Sequence, residues 1–215
     1  METIKQLSVH WFKSQITKIS NRCANFPLSM SQCILCQGKC TSMVSLCQFC
    51  FADLPRFSAQ DGNLLLNPKI ANHISHQHFD QLFCLAPYQW PFNTWLNKLK
   101  YHQQFQLSTL LANLLAEHLQ QLPDYSLLIN YQFVAVPIHT KRWQERGYNQ
   151  SHLLTKALAK KLHVVYKPKL ILRAKDTEKQ VGKSGVLRRK NIKNAFLIDE
   201  DEKDNIKQQN FVLID

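Results

Sequence analysis

An α/β fold built on parallel strands, with a small cysteine-rich module ahead of it, is what this sequence predicts. Three observations carry that reading. The first is the apolar run Phe133, Val134, Ala135, Val136, closed by Pro137; a short, partly β-branched run of this kind reads as a strand buried on both faces. After it the chain turns basic through Lys141, Arg142 and Arg146, with Glu145 among them, and reaches Gly147. It then takes helical spacing at Leu153, Leu154, Ala157, Leu158 and Leu162, with Asn149 or Ser151 as the cap. A strand, a basic glycine-bearing loop and a helix is the layout that places anions beyond the carboxyl ends of parallel strands. The second observation is a further apolar run, Phe211, Val212, Leu213, Ile214, ending at Asp215. The third is a pair of CxxC motifs, Cys33/Cys36 and Cys47/Cys50.

The chain of 215 residues is long enough for one sizeable core plus a small module. At 45% hydrophobic and 20% charged it is an ordinary globular composition, which argues against disorder. The net charge of +12 is segregated: residues 134–195 hold 16 Lys/Arg against 3 Asp/Glu, and the remainder holds 11 against 12. One contiguous basic region points to a polyanionic partner, phosphate esters or nucleic acid. No apolar window is long enough to span a bilayer. Lys5, Lys13, Lys18 and Arg22 interrupt the N-terminus, which excludes an export signal core. Seven cysteines, an odd number with two CxxC pairs, fit a reducing cytoplasm and not a disulfide framework.

In chain order, residues 1–25 form a basic amphipathic segment, with Ile4, Leu7, Trp11, Phe12, Ile16 and Ile19 near helical spacing. Residues 30–55 form the cysteine module. Two CxxC knuckles ten residues apart can turn Cys33, Cys36, Cys47 and Cys50 toward one tetrahedral Zn2+, a closed site whose role is folding. Cys40 lies between the knuckles, and Cys23 and Cys84 read as small buried hydrophobes. Residues 56–84 read as a connector; its His73, His76 and His78 lack a second ligand cluster. Within residues 85–215, positions 85–88 are a strand candidate, 92–101 a helix, and 105–122 the clearest helix, with Leu107, Leu110, Leu111, Leu114, Leu115 and Leu119 on a core-facing stripe. Strand candidates follow at 164–166 and 170–172. A basic stretch at 173–194 is too charged for core, apolar character resumes at 195–198, and 199–204 is an acidic loop.

Taken together, these motifs resemble the ComF/GntX family. The resemblance rests on the two CxxC pairs followed by Leu54-Pro55, on Lys98-Leu99-Lys100-Tyr101, and on V-P-I-H-T-K-R-W-Q-E-R-G-Y-N-Q. It continues through Arg173, Thr177, Gln180, Arg188, Asn191, Ala195 and Phe196 to the V-L-I-D ending, and spans roughly residues 30–215. It implies a small N-terminal zinc ribbon joined to a type I phosphoribosyltransferase-like parallel sheet. It further implies phosphate or pyrophosphate contacts by Lys100, Arg142, Arg146 and Arg188, with residues 175–191 as a hood. In an intact family member, phosphoribosyl diphosphate with Mg2+ is the expected ligand. Asp215 corresponds to the first of two acidic residues that hold ribose hydroxyls. The second acid and a T-T-G-x-T phosphate loop do not follow it, so the sheet is expected to be incomplete and the chain truncated at its C-terminal side.

The function this resemblance implies is DNA uptake in natural competence, with single-stranded DNA or a helicase-like competence protein as partner. The alternatives are a phosphoribosyl-diphosphate-dependent transferase and an inactive truncated product. An incomplete sheet would also leave one side of residues 211–214, and of its neighbour at 134–136, uncovered.

Overall fold

A computed structural model describes residues 32–40, 45–72, 74, 78–175, 192, 194–204 and 206–215. The amphipathic segment 1–25, His73, His76, Thr177, Gln180, Arg188 and Asn191 lie outside the described residues. The chain divides into two compact units, Met1–Asp53 and Leu54–Asp215, each taken by itself below.

The described part of the smaller unit is two knuckles and one short helix, α1 (Gln48–Ala52). In the larger unit the stretch read as a connector is pinned along its length. Asn63 Oδ1 accepts from Leu65 N and Leu82 N, Leu64 N donates to Leu82 O, and Phe57 N donates to Leu85 O. A one-turn helix, α2 (Pro68–Ala71), sits within it, capped by Asn67. Residues 85–88 are not a strand: they form bends, because Pro87 removes a donor and the Gln89 N–H turns back to Pro87 O.

Helix α3 (Phe92–Tyr101) occupies the predicted span and buries Phe92, Trp95 and Leu99. Helix α4 (Gln106–Gln120) is buried almost all round: Leu107, Leu110, Leu111, Leu114 and Leu119 are joined by Ser108, Ala112, Ala116 and His118. Such a helix belongs in the middle of a core. A further turn, α5 (Tyr125–Leu128), leads into strand β1 (Gln132–Ala135).

Beyond β1 the basic stretch is not a loop. Its residues form α6 (Thr140–Arg146), started by His139, whose Nδ1 accepts from Lys141 N, and ended by Gly147. Gly147 takes φ +81°, a left-handed cap that favours glycine. Helix α7 (Gln150–Leu162) follows directly, and Asn149 is its cap. Asn149 Oδ1 accepts from Ser151 N (3.1 Å) while its Nδ2 donates to Val136 O (2.9 Å), tying the strand's end to the helix's start. Strands β2 (Ile171–Arg173) and β3 (Phe196–Ile198) pair antiparallel, and β4 (Phe211–Ile214) pairs with β1 in parallel, Phe133 opposite Val212 and Ala135 opposite Ile214. On its other edge β1 meets Tyr166 in a parallel bridge, with Phe133 N donating to Val165 O and Lys167 N to Phe133 O. β1 is therefore central, and α7 packs on β1, β4 and α4.

The expected bare sheet is corrected in part. Phe133 and Val134, whose side chains leave opposite faces of β1, are both buried, so β1 is covered on both sides. In the β1–β4 sheet, β4 is the open strand: Leu213 is 57% exposed and, with Phe92, Leu96, Leu111 and Leu115, lines a groove of about 260 Å³.

One half-buried polar pair predicts a pH response. His152 Nδ1 lies 2.6 Å from the Tyr166 hydroxyl, linking α7 to the edge of β1. Burial, then the charge of Lys156, holds the imidazole below its ordinary value, and burial raises Tyr166 to about 12. The folded state thus disfavours the imidazolium, which the unfolded chain forms below pH about 6.5. This contribution to stability is present above that pH and is lost as the pH falls through the lowered folded value. Melting temperature is expected to drop between pH 7 and 5, and to drop less in His152→Gln; a pH-independent melt would contradict this.

Candidate functional site

In the smaller unit, Cys33 N donates to Gly38 O (2.7 Å) and Gln37 N to Cys33 O (2.8 Å), curling residues 33–38 into a tight turn with Gln37 at φ 61°. Gln32 and Lys39 close it as an antiparallel bridge, and Ile34 N reaches Ser45 O (2.9 Å). Cys47 caps α1, its sulfur accepting from Cys50 N at 3.4 Å. These turns bring the sulfurs of Cys33, Cys36, Cys47 and Cys50 within 4.8 Å of one another, the only such cluster among the described residues. Tetrahedral zinc at about 2.3 Å from each thiolate sets sulfurs about 3.8 Å apart; Cys36 and Cys47 stand at 3.7 Å. Cys40 is buried outside the cluster, and Cys84, in the larger unit, has its thiol pushed up by burial.

The electrostatics of the cluster suit a cation. Burial pushes the Cys33 thiol up, but backbone hydrogen bonds at Cys36, Cys47 and Leu35 outweigh it and bring the thiol down to about 6. Cys50 moves the opposite way, raised first by its hydrogen bond with Cys36 and also by the charge of Cys33. Crowded thiolates oppose one another's ionisation, and a dication relieves that opposition. The donor set therefore fits a metal ion such as zinc.

In the larger unit, the helices that follow β1 make a basic corner. Arg146 Nη1 donates to Gln150 Oε1 (2.6 Å), and its guanidinium lies 5.5 Å from the centroid of the Tyr101 ring at the end of α3. Tyr148 fixes the same junction: its hydroxyl donates to Leu99 O, and its ring meets Phe105 edge-on at 4.7 Å. The end of α3, with Lys100 next to Tyr101, is thereby joined to α6 and α7. Among the described residues, neither Arg142 nor Arg146 pairs with a carboxylate, Glu145 included. Asp215, at the carboxyl end of β4, accepts from Ser151 Oγ at 3.2 Å, beside the start of α7.

The structure thus brings Arg146 to the residues flanking Lys100 and sets Asp215 against α7, while Arg188 lies outside the described residues. Sequence reasoning assigned no site role to Tyr101, Tyr148 or Gln150, and offered Ser151 only as an alternative cap to Asn149, which is the cap. The Arg146–Gln150 pair spans the break between α6 and α7, so helical spacing gives no signal for it. The Tyr148–Leu99 bond joins positions far apart in the chain and leaves no local signature. No helix among the described residues is long and apolar enough to cross a membrane.

These features define an α/β protein with a four-thiol cluster able to hold a metal ion and a basic corner beyond the carboxyl end of a parallel strand. The chain is 29% identical over 184 residues to the DNA utilization protein YhgH of Salmonella typhimurium, covering 80% of this chain and 74% of the relative. It is 28% identical over 166 residues to competence protein F of Haemophilus influenzae, covering 75% and 69%. To YhgH of Escherichia coli (strain K12) it is 30% identical over 122 residues, covering 56% and 54%. The resemblance to the ComF family is therefore borne out. No protein-family profile and no solved structure matches the chain.

Proposed function

We propose that this protein handles DNA during its uptake or utilisation. The observation that carries the reading is similarity over three quarters to four fifths of the chain to proteins named for competence and DNA utilization. In this reading the four thiols hold a structural zinc ion that folds the N-terminal unit. The larger unit is a phosphoribosyltransferase-like domain whose Lys100, Arg142 and Arg146 meet phosphates. The basic excess of residues 134–195 supports an anionic partner, and the parallel pairing of β1 with β4 supports the fold. Titrating salt against affinity for a single-stranded oligonucleotide tests it. Four phosphate contacts, by Lys98, Lys100, Arg142 and Arg146, would give a log–log slope of about −3; no measurable binding would overturn the reading.

A second reading, binding of phosphoribosyl diphosphate, is favoured by the placement of Asp215 at the strand end beside the first turn of α7. Arg146→Ala is expected to weaken pyrophosphate binding about tenfold, the scale of one lost charge-assisted hydrogen bond. Lys160→Ala, an exposed control on α7, should change it little. Equal losses would mean general charge and not a site.

A further inference from the structure

We propose that Tyr88, Trp90 and Tyr101, around α3, form a stacking strip for the bases of single-stranded nucleic acid, with Lys98, Lys100 and Arg146 taking its phosphates. The proposal rests on the DNA-handling reading and adds the residues that touch the bases. These rings are 70%, 65% and 58% exposed, although this part of the chain has a core to receive aromatics. Phe92 and Trp95 of the same helix go there, meeting edge-on at 5.4 Å. Aromatic rings left in water among cations call for a partner.

The strip has order. The Tyr88 hydroxyl donates to Asn97 Oδ1 (3.4 Å) on the outer face of α3. Asn97 lies four residues, about 6 Å along the axis, before Tyr101. Arg146, held by Gln150, presents its guanidinium to the Tyr101 ring, so a ring and a cation are offered together. Trp90 follows Tyr88 by two residues at the entrance to the helix. No acidic residue occurs between Asp80 and Glu117, so nothing within this stretch repels phosphate. Rings interleaved with cations match the pattern by which single strands are bound: bases stack on aromatics while the backbone follows positive charge. Tyr, Trp and Arg also occur in protein–protein interfaces, but the two lysines beside the rings do not suit one, since lysine is depleted there.

The test is anisotropy of a labelled oligo(dT) with the full zinc-loaded chain. Tyr101→Ala and Tyr88→Ala are each expected to weaken binding roughly 5- to 100-fold. Their salt slope should match the parent's, since no charge is removed. Tyr101→Phe should bind like the parent and Tyr101→Leu should not, which separates stacking from apolar contact and from misfolding. Phe79→Ala, another exposed ring, should have no effect. Unchanged affinity in the ring variants overturns the strip and leaves the DNA reading standing. A parent chain that does not bind the oligonucleotide overturns both.

Discussion

Stripping the metal is expected to unfold the N-terminal unit and leave residues 54–215 folded. Four thiols within 4.8 Å of one another are held by two tight turns and one five-residue helix, with little buried apolar mass among the described residues of the unit. Cys33, Cys40 and Leu46 are its buried apolar residues among those described. The described residues of this unit bury little apolar surface, and metal binding would supply folding free energy, about 10–16 kcal/mol in zinc-finger peptides. Purified protein should contain about one zinc per chain, as the ligand count requires. Cys36→Ser or Cys47→Ser should abolish it, whereas Cys40→Ser and Cys84→Ser should retain it. Metal-free protein whose N-terminal unit resists protease as well as before would contradict the account.

The second large effect is in the core. Phe133→Ala is expected to destabilise the larger unit by about 3–5 kcal/mol, measured by urea unfolding. Phe133 is the largest of the fully buried side chains among the described residues, and its backbone joins β1 to residues 165 and 167 on one edge. Its strand is paired with β4 on the other. A loss of that size is a large part of a typical total of about 5–15 kcal/mol. Phe49→Ala, at an exposed ring on the smaller unit, should leave that transition unchanged. A loss below about 1 kcal/mol for Phe133→Ala would mean that β1 is not the centre of the sheet.

Both effects concern residues that were legible in the sequence, because their signals are local. CxxC spacing fixes two turns, an apolar run stopped by Pro137 fixes a buried strand, and the leucines of 105–122 repeat at helical period. The basic stretch 140–146 was read as a loop because it lacks apolar periodicity and the usual caps. It forms a helix through a histidine cap and a glycine stop, supported by neighbours that no local window contains. The strand proposed at 85–88 failed because Pro87 outweighs the apolar residues around it. The basic corner was half legible. Arg142 and Arg146 stand out as charges, but the contact of Arg146 with Tyr101 depends on α3 meeting α6, a tertiary fact. The covering of β1 on both faces is tertiary in the same way, resting on how α4 and α7 pack.

The most direct test of the DNA-handling account is deletion of the gene in the cell that encodes it, scored by uptake of labelled DNA and by recombinants recovered. The account predicts that both fall by at least about tenfold. The intact chain should restore them, while the Cys36→Ser chain, lacking its folded metal unit, should not. Uptake and recombinant yield unchanged by the deletion would contradict it.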